Sequence, residues 1–197
     1  MSIVLVGSTS GSVTLQEQAV SGSTVLDLPA VSGTILTTTS PKAGNVIQVV
    51  STTKTDVFTT TSTSFVDVTG LSASITPTSS SSKIMVCVSF CISANSAAGY
   101  PIARLLRGST VIYAGDAAGS RTPALTTATG FGSDGGFIIP YSAQFLDSPA
   151  TTSSTTYKVQ ALQTAGNTTR IGATGADNDT SAFVRTASSI VLMEIAA

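Results

Sequence analysis

The stretch Lys83-Ile84-Met85-Val86-Cys87-Val88-Ser89-Phe90-Cys91-Ile92-Ser93 decides the fold class. Its apolar residues recur with period two. Ile84, Val86, Val88, Phe90 and Ile92 fall on one face of an extended chain, and Met85, Cys87, Ser89 and Cys91 on the other. Because the second face is also fairly apolar, the strand is expected to be central and covered on both sides, with a subunit contact as one way of covering it.

The same alternation spreads outward in both directions. Residues 137–146 place Phe137, Ile139, Tyr141, Ala143 and Phe145 together, and residues 155–163 do the same for Tyr157, Val159, Ala161 and Gln163. Residues 45–52 alternate weakly. Residues 65–69 lead, through an expected turn at Gly70, to Leu71, Ala73 and Ile75 on one face. Residues 102–107 and 111–113 flank Gly108-Ser109, a two-residue hairpin signal, and residues 189–195 close the chain as an apolar strand. Turn-forming segments lie between, around Pro77 and residues 79–82, across 115–136, and through Gly172, Gly175, Asp177, Asn178 and Asp179. Eight or nine strands and no helix predict an all-β chain, with a jelly-roll-like antiparallel β-sandwich over residues 45–197.

Composition agrees. Charged residues are 10% of the 197, against about 25% in an ordinary soluble domain. Serine (30) and threonine (32) supply the polar surface instead. Threonine suits a pleated surface, whereas the side chains that fill exposed helix faces are scarce: Glu17 and Glu194 are the two glutamates. A net charge of −1 without like-charge runs gives no footing for nucleic acid or anionic lipid. No apolar run approaches the roughly 20 residues of a membrane helix, and Met1 to Val6 lacks the features of a signal peptide. Cys87 and Cys91, four apart in one strand, have Cα atoms about 13 Å apart, too far for a mutual disulfide. Free thiols point to assembly in a reducing cytoplasm.

Residues 1–40 read differently. Ala19-Val20-Ser21-Gly22-Ser23 returns as Ala30-Val31-Ser32-Gly33-Thr34, amid apolar strokes too short to bury themselves. Such a repeat gains a core by stacking on neighbours. The segment is expected to be a short β stalk or arm whose missing core comes from the same segment in two other chains, with residues 37–44 as a hinge.

Much chemistry is excluded. The chain has no histidine, which removes histidine-based triads, zinc sites and the usual neutral-pH base. No phosphate-binding loop occurs: the glycine-rich run 130–136 has no lysine. Asp116, Asp134, Asp147, Asp177 and Asp179 are the carboxylates a glycosidase would draw on, but no pair of them can be named from spacing, and the expectation is no catalysis, no metal and no cofactor. Asp177 and Asp179 could offer oxygens to an ion, though a turn with Asx hydrogen bonds is the simpler reading.

The order of motifs resembles a known group. Gly11-Ser12-Val13-Thr14-Leu15, Thr24-Val25-Leu26-Asp27-Leu28-Pro29 and Gly33-Thr34-Ile35-Leu36 resemble segments of tailed-phage fibre proteins. Phe65-Val66-Asp67-Val68-Thr69-Gly70-Leu71, Ala103-Arg104-Leu105-Leu106-Arg107, Phe145-Leu146-Asp147-Ser148-Pro149, Thr155-Thr156-Tyr157-Lys158-Val159 and Leu192-Met193-Glu194-Ile195 resemble, in that order, a recurrent structural domain of phages of aquatic bacteria. These motifs mark framework strands and turns. The resemblance implies a virion protein assembled in the host cytoplasm, a homotrimeric fibre or spike that docks on other virion proteins through its N-terminal segment and engages a host-surface glycan or protein with its tip. A capsid decoration or head-fibre protein is the alternative. Ligand-facing loop residues would be Tyr100, Arg121, Phe131, Asp134, Arg170 and Asp177, a ring or two and a few charges set among hydroxyls.

Overall fold

The computed structural model describes residues 3–6 and 12–15 as backbone, and residues 41–96, 99–128 and 135–197 in full. The chain divides into two units, Met1–Leu36 and Thr37–Ala197. In the first, β1 (Ile3–Val6) and β2 (Ser12–Leu15) pair antiparallel, Ile3 opposite Leu15. The repeat at residues 19–34 lies outside the described residues.

The second unit carries β3 (Val46–Lys54), β4 (Phe58–Thr60), β5 (Val66–Ile75), β6 (Lys83–Ala94), β7 (Pro101–Arg107), β8 (Thr110–Tyr113), β9 (Thr126–Thr127), β10 (Ile139–Asp147), β11 (Thr155–Gln163), β12 (Thr169–Ile171) and β13 (Ser188–Ile195). No helix occurs among the described residues. Leaving aside the short β4, β9 and β12, eight principal strands remain. The first, eighth, third and sixth (β3-β13-β6-β10) form one sheet, and the second, seventh, fourth and fifth (β5-β11-β7-β8) form the other, all antiparallel. That interleaving is the jelly-roll order.

The decisive stretch is β6, and it is central. Ser89 pairs with Ser142 of β10 on one side and Ser189 of β13 on the other. Ile84, Val86, Val88, Phe90 and Ile92 are buried between the sheets, against Leu71, Ala73 and Ile75 of β5, Leu105 of β7, and Tyr157, Val159 and Ala161 of β11. The described residues cover the opposite face only in part: Met85, Cys87 and Cys91 are half-buried and Ser89 is exposed. Both thiols are free.

Gly70 corrects one expectation. It does not separate two strands but sits inside β5 at φ +81°. Against β11 the pairing jumps from Ser72↔Lys158 to Asp67↔Gln160, so four residues of β5 bulge opposite Val159. Glycine tolerates the left-handed backbone that such a bulge demands. Phe137 is 50% exposed, just ahead of β10 rather than on its buried face. The hairpin at Gly108-Ser109 forms as the dipeptide predicts, with Arg107 opposite Thr110.

The core ends in a row bearing two carboxylates: Gln48, Glu194, Ile84 and Asp147 lie side by side across β3, β13, β6 and β10. Glu194 is fully buried and accepts from Gln48 Nε2, Thr78 N (2.7 Å) and Thr78 Oγ1 (2.8 Å). Burial alone would raise its pKa, but the hydrogen bonds from Gln48 and Thr78 outweigh it and hold the carboxyl below its ordinary range. Between the folded and unfolded pKa values the unfolded chain binds more protons. The stabilisation is therefore complete above the unfolded value of about 4.3 and is lost as pH falls through the folded one. Urea midpoints measured from about pH 6 down to pH 3 should fall less steeply for Glu194→Gln than for the natural chain. Equal slopes would contradict this account.

Candidate functional site

The strand order sends the loops to two ends. At one end lie residues 41–45, the β5–β6 and β10–β11 connections, the β7–β8 hairpin and the last residues. There Gly44 N and Ala196 N bond Ala196 O and Asn45 O at 2.8 and 2.9 Å. The other end gathers the β6–β7, β11–β12 and β12–β13 connections and the entries to β5 and β10.

Three of the expected ligand-facing residues, Tyr100, Arg170 and Asp177, share this second end. Tyr100 is 51% exposed at the entry to β7, its amide donating to Thr164 Oγ1 at 2.8 Å. Arg170, on β12, is half-buried and donates from Nη1 to the carbonyl of Gly175. Asp177, at φ +50°, is gripped by Arg185 through Nε–Oδ1 and Nη2–Oδ2 contacts of 2.9 Å each. That hydrogen-bonded guanidinium holds the Asp177 carboxyl below its usual pKa. Both carboxylate oxygens therefore face a cation already within the chain, and no cluster of three metal-ligating side chains occurs among the described residues. Arg121 lies elsewhere, exposed on the excursion between β8 and β9 at a sheet edge, where Ala118 bridges to it around Gly119. Phe131 and Asp134 lie outside the described residues.

Among the described residues, the candidate carboxylates lie in different settings. Asp147 is 6% exposed and saturated: Arg107 Nη1 donates to Oδ1 (2.8 Å) and Oδ2 (2.7 Å), and the Tyr157 hydroxyl to Oδ2 (2.7 Å). Asp116 and Asp179 stand exposed in separate loops. Asp147 belongs to a structural clasp, in which one sheet (β10) is tied to the other (β7 and β11).

The two outer sheet faces differ in kind. On β5-β11-β7, Asp67 accepts from Lys158 Nζ (2.8 Å) and Gln160 Nε2 (2.7 Å). Gln160 Oε1 in turn accepts from Arg104 Nε (2.9 Å) and Nη2 (2.6 Å), and the Arg104 guanidinium lies 3.8 Å from the Phe65 ring centre. This face is finished for water by charge. The face of β3-β13-β6-β10 is not. Its rows run Val49, Met193, Met85, Leu146, then Ser51, Val191, Cys87, Gln144, then Thr53, Ser189, Ser89, Ser142. Three successive rows hold no charged side chain, and Val49 and Leu146 are 57% and 50% exposed.

The hydroxyl end of that face opens into a groove. Two depressions, of about 520 and 330 Å³, share Tyr113 and Tyr141 in their walls. The larger is also lined by Cys87, Ser89, Ser142, Gln144, Ser189 and Val191, the smaller by Gly115, Ala124 and Leu125. Tyr113 stacks on Phe145 with ring centres 5.2 Å apart. Tyr141 leans on Phe90 at 5.5 Å and donates its hydroxyl to Leu125 O at 2.9 Å. Burial, then the neighbouring Tyr113, push the Tyr141 phenol up. The sequence pattern marks Tyr141 as a core residue, and it does pack there. Nothing local places Tyr113 opposite it, because β8 and β10 are edge strands of different sheets.

No protein-family model matches the chain, and no curated protein matches it.

Proposed function

We propose that the chain is a non-enzymatic virion structural protein, a homotrimeric fibre- or spike-type appendage that contributes to attachment to the host surface. The observation that carries this reading is the apolar row Val49, Met193, Met85 and Leu146 on the outer face of β3-β13-β6-β10, apart from the row of hydroxyls at the other end of that face. An apolar row open to water favours burial against another surface. A row without charge meets copies of itself free of like-charge repulsion. The phage-like motifs add to it: Arg107, Asp147 and Tyr157, one from each of three such motifs, form the clasp that frames this fold.

The mass in solution should be about three times 19.7 kDa. Met85→Arg places a charge in the centre of the apolar row and should shift the protein toward 19.7 kDa species while the far-UV spectrum stays that of a β protein. A folded monomer of the natural chain would overturn the reading. Imaging of virions carrying the labelled subunit then assigns it to the tail, or to the head as a decoration protein.

A further inference from the structure

The groove at Tyr113 and Tyr141 brings two rings beside a row of hydroxyls, and its chemistry is selective. We infer that it binds a neutral oligosaccharide, with a sugar ring seated against Tyr113 and further hydroxyls met by the serines and Gln144. This deepens the attachment role proposed above and rests on it.

Three features of the groove point the same way. Its size falls in the range of small-ligand sites, 520 Å³ continued by 330 Å³ past the same two rings. That continuity suits a linear chain longer than one residue. Its aromatic element is held in place: Tyr113 is 40% exposed and backed by Phe145, so it offers a fixed apolar surface to the C–H face of a sugar at little entropic cost. Its polar element is neutral. Ser89, Ser142 and Ser189 are hydroxyls from one row of the sheet, each able to donate and accept, and Gln144 beside them adds an amide that does both. A pyranose presents that pattern, with alternating C–H patches and hydroxyls that need both donors and acceptors. No lysine or arginine lines either depression, so sulfated or uronic-acid sugars gain no counter-charge.

The charged loop residues at the end of the sandwich are poorer hosts. Asp177 is committed to Arg185, and Arg170 donates to Gly175.

The test uses the full chain with maltohexaose, cellohexaose and laminarihexaose as neutral probes and a hexagalacturonate as the acidic one. Saturation-transfer NMR should show at least one neutral hexamer bound and the acidic one not. Tyr113→Ala should weaken that binding about tenfold. The bound hexamer should slow alkylation of Cys87, which lines the groove, and leave Cys91, which does not, unchanged. If no neutral hexamer binds at millimolar concentration, if the acidic one binds best, or if Tyr113→Ala binds equally well, the inference fails. The same samples are weighed in solution. A trimer that binds no sugar overturns the groove alone, whereas a sugar-binding monomer overturns the appendage reading alone.

Discussion

Phe90→Ala is expected to cost about 4 kcal/mol of stability, the upper range for emptying a large ring from a closed core. Phe90 is 1% exposed near the middle of β6, and its ring meets Tyr141 at 5.5 Å and 45°. Removing it forfeits the transfer term, opens a cavity between two sheets that cannot both collapse onto it, and loses a ring–ring contact. Phe90→Leu retains much of the volume and should cost well under half as much. Denaturant midpoints at constant m-value check both. A loss below about 1 kcal/mol for the alanine variant would mean that the core is not built as described. Because Tyr141 rests on Phe90, the alanine variant should also loosen one wall of the groove, so sugar binding should fall with stability.

Arg107→Ala is the second large effect, at about 3 to 5 kcal/mol. It leaves the Asp147 carboxylate 6% exposed, with one hydrogen-bond donor, Tyr157, where it had two. The cost arises from an unpaired buried charge rather than from the net worth of the pair. The triple change Arg107→Met, Asp147→Leu, Tyr157→Phe removes charges and donor together and should recover most of the loss. If the triple variant is no more stable than the single one, the clasp contributes by shape and not by charge. In the natural chain, burial and then the hydrogen bond to Asp147 push the Tyr157 phenol far above its ordinary range. Its contribution is therefore intact below the unfolded value of about 10 and declines as pH rises beyond it.

Period-two alternation made the framework readable. Ile84 to Ile92 and Tyr157 to Gln163 are buried at the alternate positions their spacing predicts. What escaped had no period to show. β4, β9 and β12 are two or three residues long: β9 and β12 form on the long strands β7 and β6, and β4 forms on β12 in turn. The bulge at Gly70 and a turn at Gly70 demand the same positive φ, so the residue alone could not separate them. The clasp was hidden for another reason. Asp147 reads equally well as a catalytic carboxylate until the pairing of β10 with β6 and of β11 with β7 brings it to Arg107 and Tyr157. Residues on edge strands of different sheets, such as Tyr113 and Phe145, carry no mark of their meeting. The expected loop residues were chosen by position, and position did not foretell that Asp177 already holds an arginine.

The place of β13 in its sheet bears on biosynthesis. It lies between β3 and β6, with Ile195 beside Val46 and Lys83, yet it is translated after every other strand of that sheet. Until the ribosome has released residues 188–195, β3 has no partner and β6 has a bare edge. These are the conditions under which nascent chains aggregate. Folding of this sheet must therefore wait until β13 has emerged from the ribosome and, with pairings this distant along the chain, is slow. Chains arrested before residue 188 should accumulate on chaperones or in inclusion bodies rather than as partly folded soluble species.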